Sequence, residues 1–315
     1  MTSLRVAWAD TLVADARRNE RIVLLDADLA TSTKGDTFAA ALPGQFMQMG
    51  IAEQNMVAAA AGLSDHGFIP WMSSFAVFFT HRALDPIRML VAQTRANVKI
   101  AAGYSGVLTG LTGKTHQDVQ DLAIMRAMPG MVVLSPGDAM ECAQMVRWAN
   151  EYDGPVYLRL ARDAAPALPA AAAFHVGAVS RLVEGGTVVL VSTGVQSVRT
   201  VEAAALVTAS TGVTPRVVHV PTIKPLDEES LCAQLAGVDL VVVVEEHSVI
   251  GGLGGLVSEV LCSRAPSPRV VRLGLQDHWG ESAPNADLLD KYGLSPAALA
   301  QSIASYLNID GANNG

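Results

Sequence analysis

Along the chain, short apolar runs alternate with longer stretches in which apolar positions recur every three or four residues. Leu4, Ala7, Trp8, Val13 and Ala16 recur at helical spacing, and the run at 22–25 reads as a buried strand. The pattern then predicts a polar loop over 30–36, a strand over 46–49 and a helix over 53–64. In that helix Met56, Val57, Ala60 and Leu63 share one face, and Gly67 is the stop. Strands at 68–72, 98–102, 131–134 and 156–160 follow, separated by helices at 76–93, 118–127 and 138–150. Apolar strands alternating with helices of this length predict a largely parallel sheet covered on both faces.

The stretch DAAPALPAAAAFHVG (163–177) is rich in Ala and Pro and reads as an interdomain linker. Beyond it, strands at 188–191, 216–220, 240–244 and 270–273 alternate with helices near 198–209, 253–262 and 296–307. The expected organisation is α/β with two domains, each a largely parallel sheet flanked by helices. They span 1–165 and 181–315, with a linker over 166–180.

Composition narrows the function. Of the 315 residues 50% are hydrophobic and 17% charged, which supports buried cores rather than disorder. A net charge of −8 with no basic run argues against nucleic-acid or anionic-membrane partners. Apolar stretches such as 56–63 and 240–244 fall short of the ~20 residues that span a bilayer, and no apolar h-region precedes Asp10. Cys142, Cys232 and Cys262 form no CxxC pair and no metal-ligand spacing. A reduced, cytoplasmic setting is expected.

The segment MGIAEQNMVAAAAGL (49–63) places Glu53 in a first helical turn, where a carboxylate by itself only complements the helix dipole. Its neighbours change that reading. SSFAVFFTHRALDPIR (73–88), GLTGKTHQDVQDLAIMRAMPGMVVLSPGDAMEC (110–142), GPVYLRLARD (154–163), PTIKPLD (221–227) and VVVVEEHSVIGGLGG (241–255) follow in order. Together with GIAEQN they resemble, over essentially the whole chain, the thiamine-diphosphate-dependent transketolase family. The resemblance is to its pyrimidine-binding and C-terminal domains.

The resemblance implies that Glu53 hydrogen-bonds the cofactor's aminopyrimidine and so promotes proton removal from thiazolium C2. Phe75 and Phe78 would pack on the pyrimidine; ordinary core packing is the plainer account of two phenylalanines at this spacing. His116 matches a family histidine that faces the substrate and can donate to a developing alkoxide. Arg162 matches a phosphate-binding arginine, with Arg159 as an out-of-register rival and an ion pair to Asp163 as the plainer account. Ser32 matches a phosphate-contacting serine, and Asp28 an aspartate near the subunit junction, with a cofactor-binding role and a structural role both open.

Departures from the family pattern point to an altered substrate. Leu111 and Thr112 stand where the family has Glu and Asp, Tyr104 replaces a substrate-facing histidine, and Lys114 adds a cation beside His116. A phosphate-binding arginine falls at Leu4, with Arg5 one position off. Loss of hydroxyl-binding groups suggests a donor or acceptor outside the standard pentose phosphates. The family's metal- and diphosphate-holding GDG is absent: Gly35-Asp36 is followed by Thr37, and Gly137-Asp138 by Ala139.

The chain therefore resembles the C-terminal half of a transketolase made as two polypeptides. No metal ligands are expected here. Thiamine diphosphate with Mg2+ or Ca2+ would be held mainly by an N-terminal partner chain, in an α2β2 assembly. Three alternatives stand beside this: a split 1-deoxyxylulose-5-phosphate synthase, a 2-oxo-acid dehydrogenase β subunit, and a catalytically silent partner subunit. In the second half, Gly251, Gly252, Gly254 and Gly255 open a helix, a possible anion site. Glu245 and Glu246 would repel an anion, so close packing is the expected role of these glycines.

Overall fold

The computed structural model describes residues 1–169 and 173–312. Residues 170–172 of the expected linker and 313–315 at the end of the expected second domain lie outside the described residues.

A seven-stranded sheet carries the first half. Its order is Thr222–Lys224, Val132–Leu134, Val156–Leu160, Lys99–Gly103, Ile69–Phe75, Ile22–Asp26 and Phe46–Gln48. All neighbours are parallel except the first pair, where Thr222 sits opposite Leu134. The period of two along these strands divides the core. Val23, Leu25, Met72, Ile100 and Tyr157 join one cluster with Met56 and Val57 of helix Glu53–Asp65. Ile22, Leu24, Trp71, Ala101 and Leu158 join another with Leu4, Trp8 and Leu12 of helix Leu4–Ala16. Both faces are thus dry, which is why these strands lack polar alternation. Lys99 is buried on its strand, with Nζ donating to the carbonyls of Tyr152 and Gly154 at 2.7 and 2.6 Å. Burial pushes its pKa down to about 7, against the pull of Asp153.

The second sheet has five strands, in the order Arg269–Leu275, Leu240–Ser248, Val188–Ser192, Arg216–His219 and Ser180–Val183. Only Ser180–Val183 runs antiparallel. Two α/β units with largely parallel sheets are therefore present. They are also stitched together, because Thr222–Lys224 lies far along the chain yet extends the first sheet.

Two local expectations are corrected. The predicted polar loop at 30–36 is mostly helical, as Ala30–Thr33 and the start of Gly35–Ala41. The two pieces join at Lys34 in the left-handed region (φ 76°). The Thr33 hydroxyl bonds the Leu29 carbonyl, so the polar residues serve the turn rather than a solvated loop. The predicted continuous helix at 76–93 is broken into π-helical segments Phe78–Arg82 and Ile87–Ala92 around a short α-turn Leu84–Pro86. The Ala83 N–H reaches back to the Phe78 carbonyl at 3.0 Å, an i→i+5 bond of the kind that concentrates at functional sites.

Candidate active site at the carboxyl ends of the strands

Neighbouring parallel strands deliver the candidate residues to one edge of the first sheet. Arg162 follows Val156–Leu160, Tyr104 follows Lys99–Gly103, Phe75 ends Ile69–Phe75, and Asp28 follows Ile22–Asp26. Glu53 begins the helix after Phe46–Gln48. Open parallel sheets bind ligands at this edge.

Here the rings form a row. Phe78 stacks on Phe75 with centroids 5.8 Å apart, and Phe75 stacks on Tyr104 at 4.0 Å. His116 meets Phe75 and Phe78 edge-on at 6.0 and 5.6 Å. Tyr104 adopts φ 56°, a left-handed conformation that is costly for a bulky residue and that clusters at ligand sites.

Each end of the row carries charge. At one end Glu53, only 1% exposed, accepts from Arg82 Nη1 through both carboxylate oxygens at 2.8 Å. The Arg82 guanidinium also lies 4.3 Å from the Phe78 ring centroid. Helix Glu53–Asp65 has no side-chain cap at Ala52, and the Glu53 carboxylate in its first turn bonds Arg82. At the other end Arg5 and Arg162 lie 5.0 and 5.6 Å from the Tyr104 centroid. Arg5 donates to the Ser32 carbonyl, to the Tyr104 hydroxyl at 3.3 Å and to the Arg162 carbonyl at 2.8 Å.

The register question at the N-terminus is settled by packing. Leu4 is buried in the core, and Arg5 is the residue that reaches the site. The signal was in the sequence: Leu4, Trp8 and Leu12 share the buried face, which turns Arg5 away from it. Arg159 is buried against Asp121 at 2.7 Å and the Glu246 carbonyl at 2.9 Å, so it is not the residue beside Tyr104. Arg162 is half exposed and 3.6 Å from Asp163. Ser32 joins through its carbonyl. Asp28 is exposed, and its N–H donates to Gln48 at 2.8 Å. No local sequence pattern marks Arg82, because its partner Glu53 lies 29 residues away in sequence.

Thr112 and Lys114 line a separate groove of about 390 Å3, whose far wall is Gly280, Glu281 and Ser282 of the second half. The loop that carries them and His116 is pinned from both sides. Gln117 Nε2 donates to the Glu281 carbonyl at 2.9 Å, and Ser282 Oγ to the Leu111 carbonyl at 2.7 Å. Asp118 accepts from the Thr80 hydroxyl, within the π-helical segment that holds Phe78. Burial, reinforced by the charge of Asp121, pushes the Asp118 carboxyl up to about 7. In the glycine-rich helix start, the N–H groups of Leu253 and Gly254 donate to Glu245 at 2.7 and 2.9 Å. The chain's own carboxylate thus fills that helix N-terminus.

Among the described residues no cluster of three or more His, Cys, Asp or Glu could hold a metal ion, and no helix is long and apolar enough to cross a membrane.

Known proteins match this architecture throughout. The family model for the transketolase pyrimidine-binding domain matches residues 1–167, and that for the transketolase C-terminal domain matches 177–299. A transketolase C-terminal section of Methanocaldococcus jannaschii is 39% identical over 95% of each chain. A 6-deoxy-6-sulfo-D-fructose transketolase subunit of a Clostridium species is 36% identical over 93% of this chain and 90% of its own. A solved structure described as a split-gene transketolase, an inactive β4 tetramer, superposes with a TM-score of 0.89. It is 42% identical and covers 98% of this chain and 99% of its own. The chain belongs to the transketolase family, with a pyrimidine-binding domain followed by a C-terminal domain, and it is similar over nearly its whole length to a split-gene transketolase chain.

Proposed function

We propose that this chain is the C-terminal subunit of a thiamine-diphosphate-dependent transketolase that transfers a two-carbon ketol unit from a ketose-type donor to an aldehyde acceptor. The observation that carries the reading is the row itself. A buried carboxylate at one end, stacked aromatic rings in the middle and two arginines at the other share one sheet edge. The residues fit the aminopyrimidine half of the cofactor: Glu53 as the hydrogen-bonding carboxylate, with Phe75 and Phe78 as its apolar surface. They do not fit the diphosphate and metal half, for which a partner chain with oxygen ligands is needed. When bound, the cofactor supplies the electron sink for the two-carbon fragment.

This chain's own residues then do the rest. His116, held edge-on to both phenylalanines, is placed to donate a proton or hydrogen bond to a substrate oxygen. Arg5 and Arg162 receive a terminal oxyanion of the substrate; the planar guanidinium suits a tetrahedral anion. Tyr104, under the two arginines, sets the substrate apart from ordinary pentose phosphates, whereas Thr112 and Lys114 line the separate groove and are left out of this role. The name of the Clostridium relative, which specifies a sulfonated sugar, supports a donor with an unusual terminal oxyanion. The name of the solved relative, an inactive tetramer of one chain type, supports inactivity of this chain alone.

Co-expression with a GDG-containing partner chain tests the reading. A complex of two copies of each chain with about one cofactor per pair is expected, with ketol transfer abolished in Glu53→Ala. Absence of both complex and cofactor with several such partners would favour a silent subunit. Turnover of pyruvate with release of CO2 would replace transketolase by the synthase or dehydrogenase reading. Equal turnover of xylulose 5-phosphate and ribose 5-phosphate would remove the altered-substrate part.

A further inference from the structure

We propose that Arg82 is a built-in competitor of the cofactor, occupying both the hydrogen-bonding partner and the stacking surface that the aminopyrimidine requires. This rests on the cofactor reading above and goes beyond it. A guanidinium is planar and donates hydrogen bonds, as the aminopyrimidine does toward a carboxylate. Here it donates through one nitrogen to both oxygens of Glu53 at 2.8 Å, and its central carbon lies 4.3 Å from the Phe78 centroid. Two planar groups cannot share that one ring face and that one carboxylate.

The exchange is also physically accessible. Glu53 is 1% exposed, whereas the Arg82 side chain is 43% exposed and so can swing into solvent. Its backbone stays fixed, because Gln54 Nε2 donates to the Arg82 carbonyl at 3.0 Å and the π-helical turn ends there. Only the side chain has to move. Arg82 moreover gives Glu53 a cation until the cofactor replaces it, so a buried carboxylate is never left unpaired. Cofactor affinity is therefore set partly by how readily Arg82 lets go, and a partner chain that draws Arg82 outward would favour loading.

The test measures thiamine diphosphate binding by titration calorimetry, at fixed Mg2+, on the assembled two-chain enzyme. Wild type is compared with Arg82→Met, which keeps the apolar stem, and Arg82→Gln, which keeps a weaker donor. The expected result is a lower dissociation constant in Arg82→Met, by about tenfold or more given the worth of one charge-assisted hydrogen bond. Arg82→Gln should lie between, and Glu53→Gln should bind more weakly than wild type. Unchanged or weaker binding in both Arg82 variants overturns the competitor role while leaving the cofactor reading intact. Absence of binding in the wild-type complex overturns both.

Discussion

Arg5 shows how one side chain can be misplaced by a single position and recovered by packing. The helix that carries it buries Leu4, Trp8 and Leu12, so Arg5 must leave the core face. Its donors then anchor the Ser32 and Arg162 carbonyls while the guanidinium lies over Tyr104. Replacing Arg5 with Ala should raise KM for an oxyanion-bearing donor by about 10–100-fold, the worth of one charged hydrogen-bond donor, with a smaller effect on kcat. Steady-state kinetics of the assembled enzyme check this, and an unchanged KM would remove Arg5 from the substrate site. Other residue-scale features were beyond sequence reading. Glu53 with Arg82 and Asp118 with Thr80 pair elements 29 and 38 residues apart, and no local period records such a partnership.

Elements were read well where burial enforces a period. Strand Val156–Leu160 and helix Leu253–Cys262 match the sequence pattern end to end, because each has an uninterrupted apolar face. The period failed where polar side chains bond their own backbone, as at Thr33, and where the helix after Phe75 widens to π geometry. Thr222–Lys224 is three residues long, too short to show a period. The π-helical segment and the His116 loop are joined by Asp118, which makes that junction sensitive to pH. Because its folded pKa is raised from 3.8 to about 7, the folded chain binds this proton more tightly than the unfolded chain. The associated stability is complete below pH 3.8 and is lost as pH rises through about 7. Wild-type stability should therefore fall, relative to Asp118→Asn, by on the order of 2–4 kcal/mol between pH 4 and 8. Denaturant unfolding across that range tests it, and parallel curves for the two proteins would refute a raised pKa.

At the scale of the whole molecule, the second half braces the loop beside a site that the first half builds. Glu246, from the second sheet, accepts the N–H groups of Val107 and Leu108 at 3.1 and 3.3 Å, and Arg199 adds a contact at 3.3 Å. Gly106 is required there: it has φ 82°, and a Cβ would stand 2.2 Å from the Glu246 carboxylate. The loop that presents Tyr104 and His116 is thus shaped by the second half, although that half contributes no ring to the row. Together with strand Thr222–Lys224 in the first sheet, this predicts that the chain unfolds as a single cooperative unit. Calorimetry of the isolated chain should show one transition, and Glu246→Ala should lower it as a whole rather than split it. The loss should be about 3–5 kcal/mol, since Arg199 and two buried N–H groups lose their acceptor. In the assembled enzyme the same substitution should depress turnover while leaving cofactor affinity nearly unchanged, because Glu53 and Phe78 lie on elements that Glu246 does not touch. Two separate unfolding transitions in the wild-type chain would instead mean that the halves are independent and that the His116 loop is ordered by the first half alone.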